Sequence, residues 1–400
     1  MIDGNAVAYN AAVFVSTLFL LEAGADKFVD HTAIVARRTG IPDTLIALLT
    51  AGAEWEEVNG RSPSSGTLRQ VHITPAVLAV VVSALLQGRA PLALGNIVGS
   101  AISNILGAFS LGLLFRKRGQ PMHFDRSARI YSFLLLGVTT VAIPVTLLPR
   151  RGLWLVSGII LIVAFAIYIL SVAWAISRGA LTAPEGSDSD SDSDGSSGGE
   201  EEGGGGGGDP EPPAPRRRQR RRRSDAEQQP LLRPSQNFAR RRRSLVYHVA
   251  YLLVGFLAVC LSGYVLSNAA TNVADALGAS EVLFGIVVLA IGTTLPDKFV
   301  ATLSGTRGHG GILVANTVGS NIFLLTLCLG IVMVGTNGHL GGAGGVNAVE
   351  LVVLWVSTAV FSLSVWANGR FDRLLGAFML LGYVAFVVLE FVVVRRPVEL

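Results

Sequence analysis

The chain has 400 residues, half of them hydrophobic and only 15% charged, and a formal charge of +4. Several windows hold about 20 apolar residues, the length that crosses a bilayer core. A soluble globular domain is excluded, and the 2 cysteines, Cys260 and Cys328, both in apolar segments, give neither a disulfide framework nor a metal motif.

The opening residues, MIDGNAVAYN, carry no basic n-region, so no removable signal peptide is expected. An all-α polytopic membrane protein of about ten transmembrane helices is predicted. Its first half, residues 1–177, holds spans over about Val7–Val35, from Pro42, and over Leu92–Phe115, Ile130–Leu148 and Leu153–Ile176. Its second half, residues 245–400, holds Leu245–Ala270, Val282–Ser304, Ile312–Val334, Val346–Val365 and Leu374–Val394. Between them, residues 178–244 contain SDSDSDSD, a glycine run, PEPPAP and two arginine clusters, Arg216–Arg223 and Arg240–Arg243. Nothing there buries a core, so a disordered cytoplasmic linker is expected. The clusters suit anionic lipid headgroups, and no nucleic-acid partner is read from them. A cytoplasmic linker also puts Arg37, Arg38, Arg116 and Arg370 on the cytoplasmic side, as the positive-inside rule asks; Arg150, Arg151, Arg395 and Arg396 run against it. The six histidines form no cluster in the sequence and read as loop or interface residues.

Two stretches resemble each other. GNIVGSAISNIL from Gly95 aligns with ANTVGSNIFLLT from Ala315, pairing Asn96 with Asn316, Gly99 with Gly319 and Ser100 with Ser320. Upstream of each is a glycine followed by an acid, Gly52 to Glu57 in GAEWEE and Gly292 to Asp297 in GTTLPD. An odd number of spans separates the copies, so they lie in opposite orientations. That is an inverted repeat of two five-helix halves, whose broken helices meet near the bilayer midplane. An acid in such a segment costs about 2.5–3.5 kcal/mol to insert, which makes it a functional-site candidate.

One irregularity stands out. Glu57 and Asn96 lie about twice as far apart as Asp297 and Asn316, the excess being a polar stretch over about 58–77 that interrupts the second span. A polar insert at membrane depth leaves backbone groups unpaired. The expectation is that it is absent from the functional protein, as a retained intron would be, or that it loops out of the site.

At these residues the chain resembles the calcium:cation antiporter superfamily, the sodium/calcium exchangers and their relatives. GADKFVDHTAIVARRTGIP, GTTLPD and the two GS-containing helices carry the likeness, which leaves out only the linker and the insert. The resemblance implies a secondary antiporter moving Ca2+ against Na+, with or without K+, or against H+. It implies no cofactor, the ions being cargo. The chain departs from the family pattern at Ala53, Glu54 and Glu56 in the first motif, at Ala101, and at Leu324, where relatives carry a liganding acid or amide.

Calcium takes six to eight oxygens at about 2.3–2.6 Å. Glu57 and Asp297 are the expected carboxylates, joined by the hydroxyls of Thr293 and Thr294 and by freed carbonyls near Thr50 and Ala290. Asn96, Ser100 and Asn104 lie four apart on one helix face, and Asn316 and Ser320 form the matching stripe, cut short at Leu324. Glu54 and Glu57, three apart, are expected to share a helix face, with Glu54 a place for an extra cation or a proton. By analogy, the amphipathic first span and its partner, the sixth, slide across the remaining bundle. Two other classes stay open here: an intramembrane enzyme working through paired acids, and a non-transporting scaffold or sensor whose altered first motif has lost exchange. The composition names no particular membrane.

Overall fold

A computed structural model describes residues 4–38, 56–57, 74–116, 122–177, 181–182, 235–340, 345–367 and 372–392. The helices are α1 (Gly4–Arg38), α2 (Thr74–Leu86), α3 (Ala90–Leu114), α4 (Arg126–Leu147), α5 (Leu153–Ser177), α6 (Ser235–Leu277), α7 (Glu281–Thr293), α8 (Leu295–Arg307), α9 (Gly310–Thr336), α10 (Ala348–Trp366) and α11 (Asp372–Val392). Eight are long and apolar enough to cross a membrane, and α7 with α8 makes a ninth span bent by 49°. α2, with 13 residues, is about 20 Å long, apolar but too short to cross alone. The architecture is the expected ten-helix inverted repeat.

α3 and α9 form the centre. Ala90–Ile102 is buried at every position, because its Ala, Gly and Ser let neighbours approach from all sides. Gly95 and Gly99 lie against the backbone of Val282 and Ile286 on α7, and Gly285 lies in turn against Leu92 and Asn96. α4 packs on α10 and α5 on α9, at the flanks. Ile159, Ile160, Val163 and Ile167 on α5 are exposed, a face suited to lipid. α1 and α6 pair through close glycines: a Cβ at Gly24 would stand 3.0 Å from Ala258 Cβ, and one at Gly255 2.6 Å from Phe28 N.

The repeat extends to backbone defects. α3 widens into a π-helical stretch over Ser103–Phe109 and α9 over Phe323–Cys328. The register that pairs Asn96 with Asn316 also pairs Ser103 with Phe323, so the two stretches begin at equivalent places. A third lies in α7 at Gly285–Leu289. Such widenings recur at functional sites because they shift side chains off the regular helical face.

Several expectations are corrected. Glu56–Glu57 is not helical but a two-residue strand, β1, paired antiparallel with β2 (Leu181–Thr182), with Glu57 opposite Leu181. Extended pairing gives partners to backbone groups that the interrupted second span would leave open. α6 starts at Ser235, inside the expected disordered linker, since alanine and arginine there extend an existing helix at little cost. His31 and His248, far apart in sequence, bring their Nδ1 atoms to 2.9 Å between α1 and α6. They are helix-interface residues, as expected, but they make a pair. The disorder expected for the rest of the linker, the Arg216–Arg223 cluster and most of the insert expected over about 58–77 lie outside the described residues; the end of that insert, from Thr74, is the first turn of α2. So do the side chains of Arg240–Arg243.

Candidate functional site

The site forms where α3, the α7–α8 bend and α9 meet. Pro296 near the start of α8 has no N–H to offer the carbonyl four residues back, so the helix breaks at Thr294. The break points Asp297 inward, where it is 1% exposed. Asn316, Ser320 and Asn104 all hydrogen-bond to its carboxylate. Ser320 Oγ lies 3.4 Å from Asp297 Oδ1. Donors from both repeats therefore converge on one buried carboxylate.

Beside it, Asn96 Oδ1 accepts from Ser100 Oγ at 3.3 Å and from Thr293 Oγ1 at 3.3 Å. Thr293 also donates to Leu289 O at 2.9 Å, and Thr294 Oγ1 to Ala290 O at 2.6 Å. The Ala290 carbonyl is therefore not free, contrary to expectation; it also accepts from Thr294 N at 3.1 Å. Thr293 and Thr294 act first as caps on the broken end.

Of the expected residues, Asn96, Ser100, Asn104, Thr293, Thr294, Asp297, Asn316 and Ser320 are brought together. Glu57 is not on a helix opposite Asp297: its backbone partner lies beyond the end of α5, and its side chain is outside the described residues. Glu54 and Thr50 are outside them altogether. Leu324 is buried, with no oxygen to offer.

Two residues, Ser103 and Tyr383, escaped the sequence reading. Ser103 Oγ lies 2.9 Å from Thr294 Oγ1 and 3.0 Å from Tyr383 OH. Lys298 Nζ lies 2.8 Å from Ser103 Oγ and 2.5 Å from Thr294 Oγ1. Lys298 follows Asp297 in sequence and is a natural ion-pair partner for it, yet its hydrogen bonds go to Ser103 and Thr294. Tyr383, on α11, leaves no sequence signal.

The donor set fits a hard cation. The amide oxygens of Asn104 and Asn316 are buried without a hydrogen-bond partner, although both side chains bond Asp297. A bare buried acceptor costs about 1–3 kcal/mol. A cation beside the carboxylate would satisfy both oxygens.

The profile of the family described as Sodium/calcium exchanger protein matches residues 77–174 and 247–392. Sodium/potassium/calcium exchanger 1 of Mus musculus is 27% identical over 173 residues, 40% of this chain and 15% of that protein. Sodium/potassium/calcium exchanger 4 of Homo sapiens is 29% identical over 150 residues, 35% of this chain and 24% of that one. The chain thus matches less than a quarter of the length of either mammalian exchanger. An uncharacterized membrane protein of Methanocaldococcus jannaschii is 20% identical over 312 residues, 77% of this chain and 76% of its own. Among solved structures, the sodium-calcium exchanger NCX_Mj, soaked with Na+ and without Ca2+, aligns with 96% of this chain and 99% of its own at a TM-score of 0.50 and 20% identity. That likeness carries the ten-helix fold. The matched family is one of exchangers, which gives the intramembrane-enzyme class no support. With more than half of its residues matched, and the match falling on both repeats, the chain is a multi-pass membrane protein of the sodium/calcium exchanger family.

Proposed function

We propose that this chain is a secondary antiporter that exchanges Ca2+ for a monovalent cation at the Asp297 site. One observation carries the reading: a buried carboxylate held by amides and a hydroxyl from both repeats, with the oxygens of Asn104 and Asn316 left bare beside it. Asp297, Asn104, Asn316 and Ser320 bind the ion directly. Asn96, Ser100 and Thr293 form an adjoining row of neutral oxygens for the competing ion, while Thr294 caps the broken helix end. One carboxylate only half-neutralises a divalent cation. We therefore assign Glu57 as the second charge, and Glu54 as a place for a further cation or proton. The strand carrying Glu57 runs beside α9, which supports this assignment.

Exchange follows from sharing. If Ca2+ and its counter-ion need the same carboxylate, each expels the other, and an empty charged site is costly to carry through a low-dielectric bundle. α1 closes one side of the bend: Phe14 and Leu18 lie against Gly292, and Phe14 stacks edge-on with Phe284 at 6.1 Å. Sliding α1 together with α6 exposes the site to each side in turn. The test is Ca2+ flux into vesicles holding the purified protein, under Na+, K+ and pH gradients imposed one at a time. Uptake driven by one of them is expected. The second reading, a sensor that has lost exchange, rests on Leu324 and Ala53, and it predicts Ca2+ binding with no flux under any gradient.

A further inference from the structure

Lys298 places a positive charge beside the proposed cation site, in a pocket of neutral oxygens. Its Nζ lies 2.8 Å from Ser103 Oγ, 2.5 Å from Thr294 Oγ1 and 3.4 Å from the Thr294 carbonyl. Tyr383 OH, 3.0 Å from Ser103 Oγ, closes the far side. The stem of the lysine crosses the π segment of α3, where Gly107 makes room: a Cβ there would stand 3.3 Å from Lys298 Cε. Two hydroxyls and a carbonyl at such distances, drawn from both repeats, are what a dehydrated monovalent cation asks for, and an ammonium is close to potassium in size. Lys298 also feels the charge of Asp297, but its hydrogen bonds run to the oxygens of Ser103 and Thr294.

We infer that the Lys298 ammonium is a tethered monovalent cation, permanently filling a K+-sized site formed by Ser103 and Thr294, with Tyr383 bonded to Ser103 behind it, next to the Asp297 centre. The inference rests on the reading of that centre as a cation site. The pocket is one-sided, since the repeat equivalent of Ser103 is Phe323, which has no oxygen to offer. The consequence is a specificity rule: no free K+ is taken up at this position, and removing the lysine head creates a vacancy that a K+-sized ion enters.

The test is equilibrium binding of radiolabelled rubidium, a K+ stand-in, to the full chain purified in detergent, with flux measured separately. Lys298→Ala is expected to gain one saturable rubidium site per protein relative to the wild type, and added methylammonium should displace that rubidium at least tenfold. Lys298→Met, which keeps most of the stem over Gly107, is the second variant should the alanine form fail to fold. A smaller gain is expected there. Adding Ser103→Ala to either variant should remove the gained site. The inference is overturned if neither variant binds more rubidium than the wild type, or if the gained site survives Ser103→Ala. A protein that shows these binding results but no Ca2+ flux would refute the exchange reading and leave the tethered cation standing.

Discussion

Asn96 Oδ1 of the first repeat accepts from Thr293 Oγ1 of the second at 3.3 Å, joining two residues 197 positions apart. The contact depends on a helix crossing close enough for Gly95, Gly99 and Gly285 to meet the backbone of the opposite helix. Packing and site are thus one construction: small residues let α3 and α7 approach, and the approach sets polar groups from the two halves within reach of one ion.

The carboxylate of Asp297 should cost stability and supply function. A buried charge is expensive even when hydrogen-bonded. Asp297→Asn keeps the shape and removes the charge. Ca2+ uptake in vesicles should fall at least a hundredfold, while the thermal midpoint of the ion-free protein stays equal or rises. In the wild type, Ca2+ should raise that midpoint, and in the variant it should not. Retained uptake would remove Asp297 from the site.

The glycine crossing gives a second contrast. A Cβ at Gly99 would stand 2.5 Å from Ile286 Cα, so Gly99→Ala must push two backbones apart, at a cost of about 1–3 kcal/mol. Gly137 on α4 has nothing within 4 Å of the corresponding position. There Gly137→Ala should be neutral or stabilising by about 0.5–1 kcal/mol, because alanine favours the helix. Thermal melts in detergent compare the two, and equal losses would contradict the close crossing.

Helix order, the bend at Thr294 and most site residues were legible because hydropathy marks spans and the doubled motif marks the centre. Asn96, Ser100, Asn104 and Asn316 follow from four-residue spacing, which a helix converts into one face. Ser103 and Tyr383 were not legible, since their meeting depends on a tertiary contact across 280 positions. Lys298 was visible as a charge beside Asp297, but the oxygens that receive its hydrogen bonds, on Ser103 and Thr294, were not. Glu57 was misplaced for a related reason: the motif register treats it as helical, whereas the interrupted second span lets the chain pair in extended form with Leu181.

α1 and α6 should travel as one unit. A Cβ at Gly24 would stand 3.0 Å from Ala258 Cβ, somewhat closer than the roughly 3.5–4.5 Å of a disulfide, so a modest shift accommodates one. In a Cys260→Ala background, Gly24→Cys with Ala258→Cys should oxidise readily and leave more than half of the Ca2+ uptake intact. Loss of uptake on oxidation, restored by reduction, would show that the two helices move against each other.

The short oxygen stripe of the second half sets the last prediction. Asn104 bonds Asp297 and keeps a bare oxygen, while its repeat equivalent, Leu324, offers neither. Asn104→Leu copies that deficiency into the first half. It removes one donor from the carboxylate and one oxygen from the ion, and Leu324 shows that the fold accepts leucine at the equivalent place. Folding should survive, with a thermal midpoint within a few degrees. Ca2+ affinity should fall about tenfold, equivalent to about 1.4 kcal/mol, as read by titration calorimetry. Affinity unchanged within twofold would place the ion away from α3 and assign it to α8 and α9 alone.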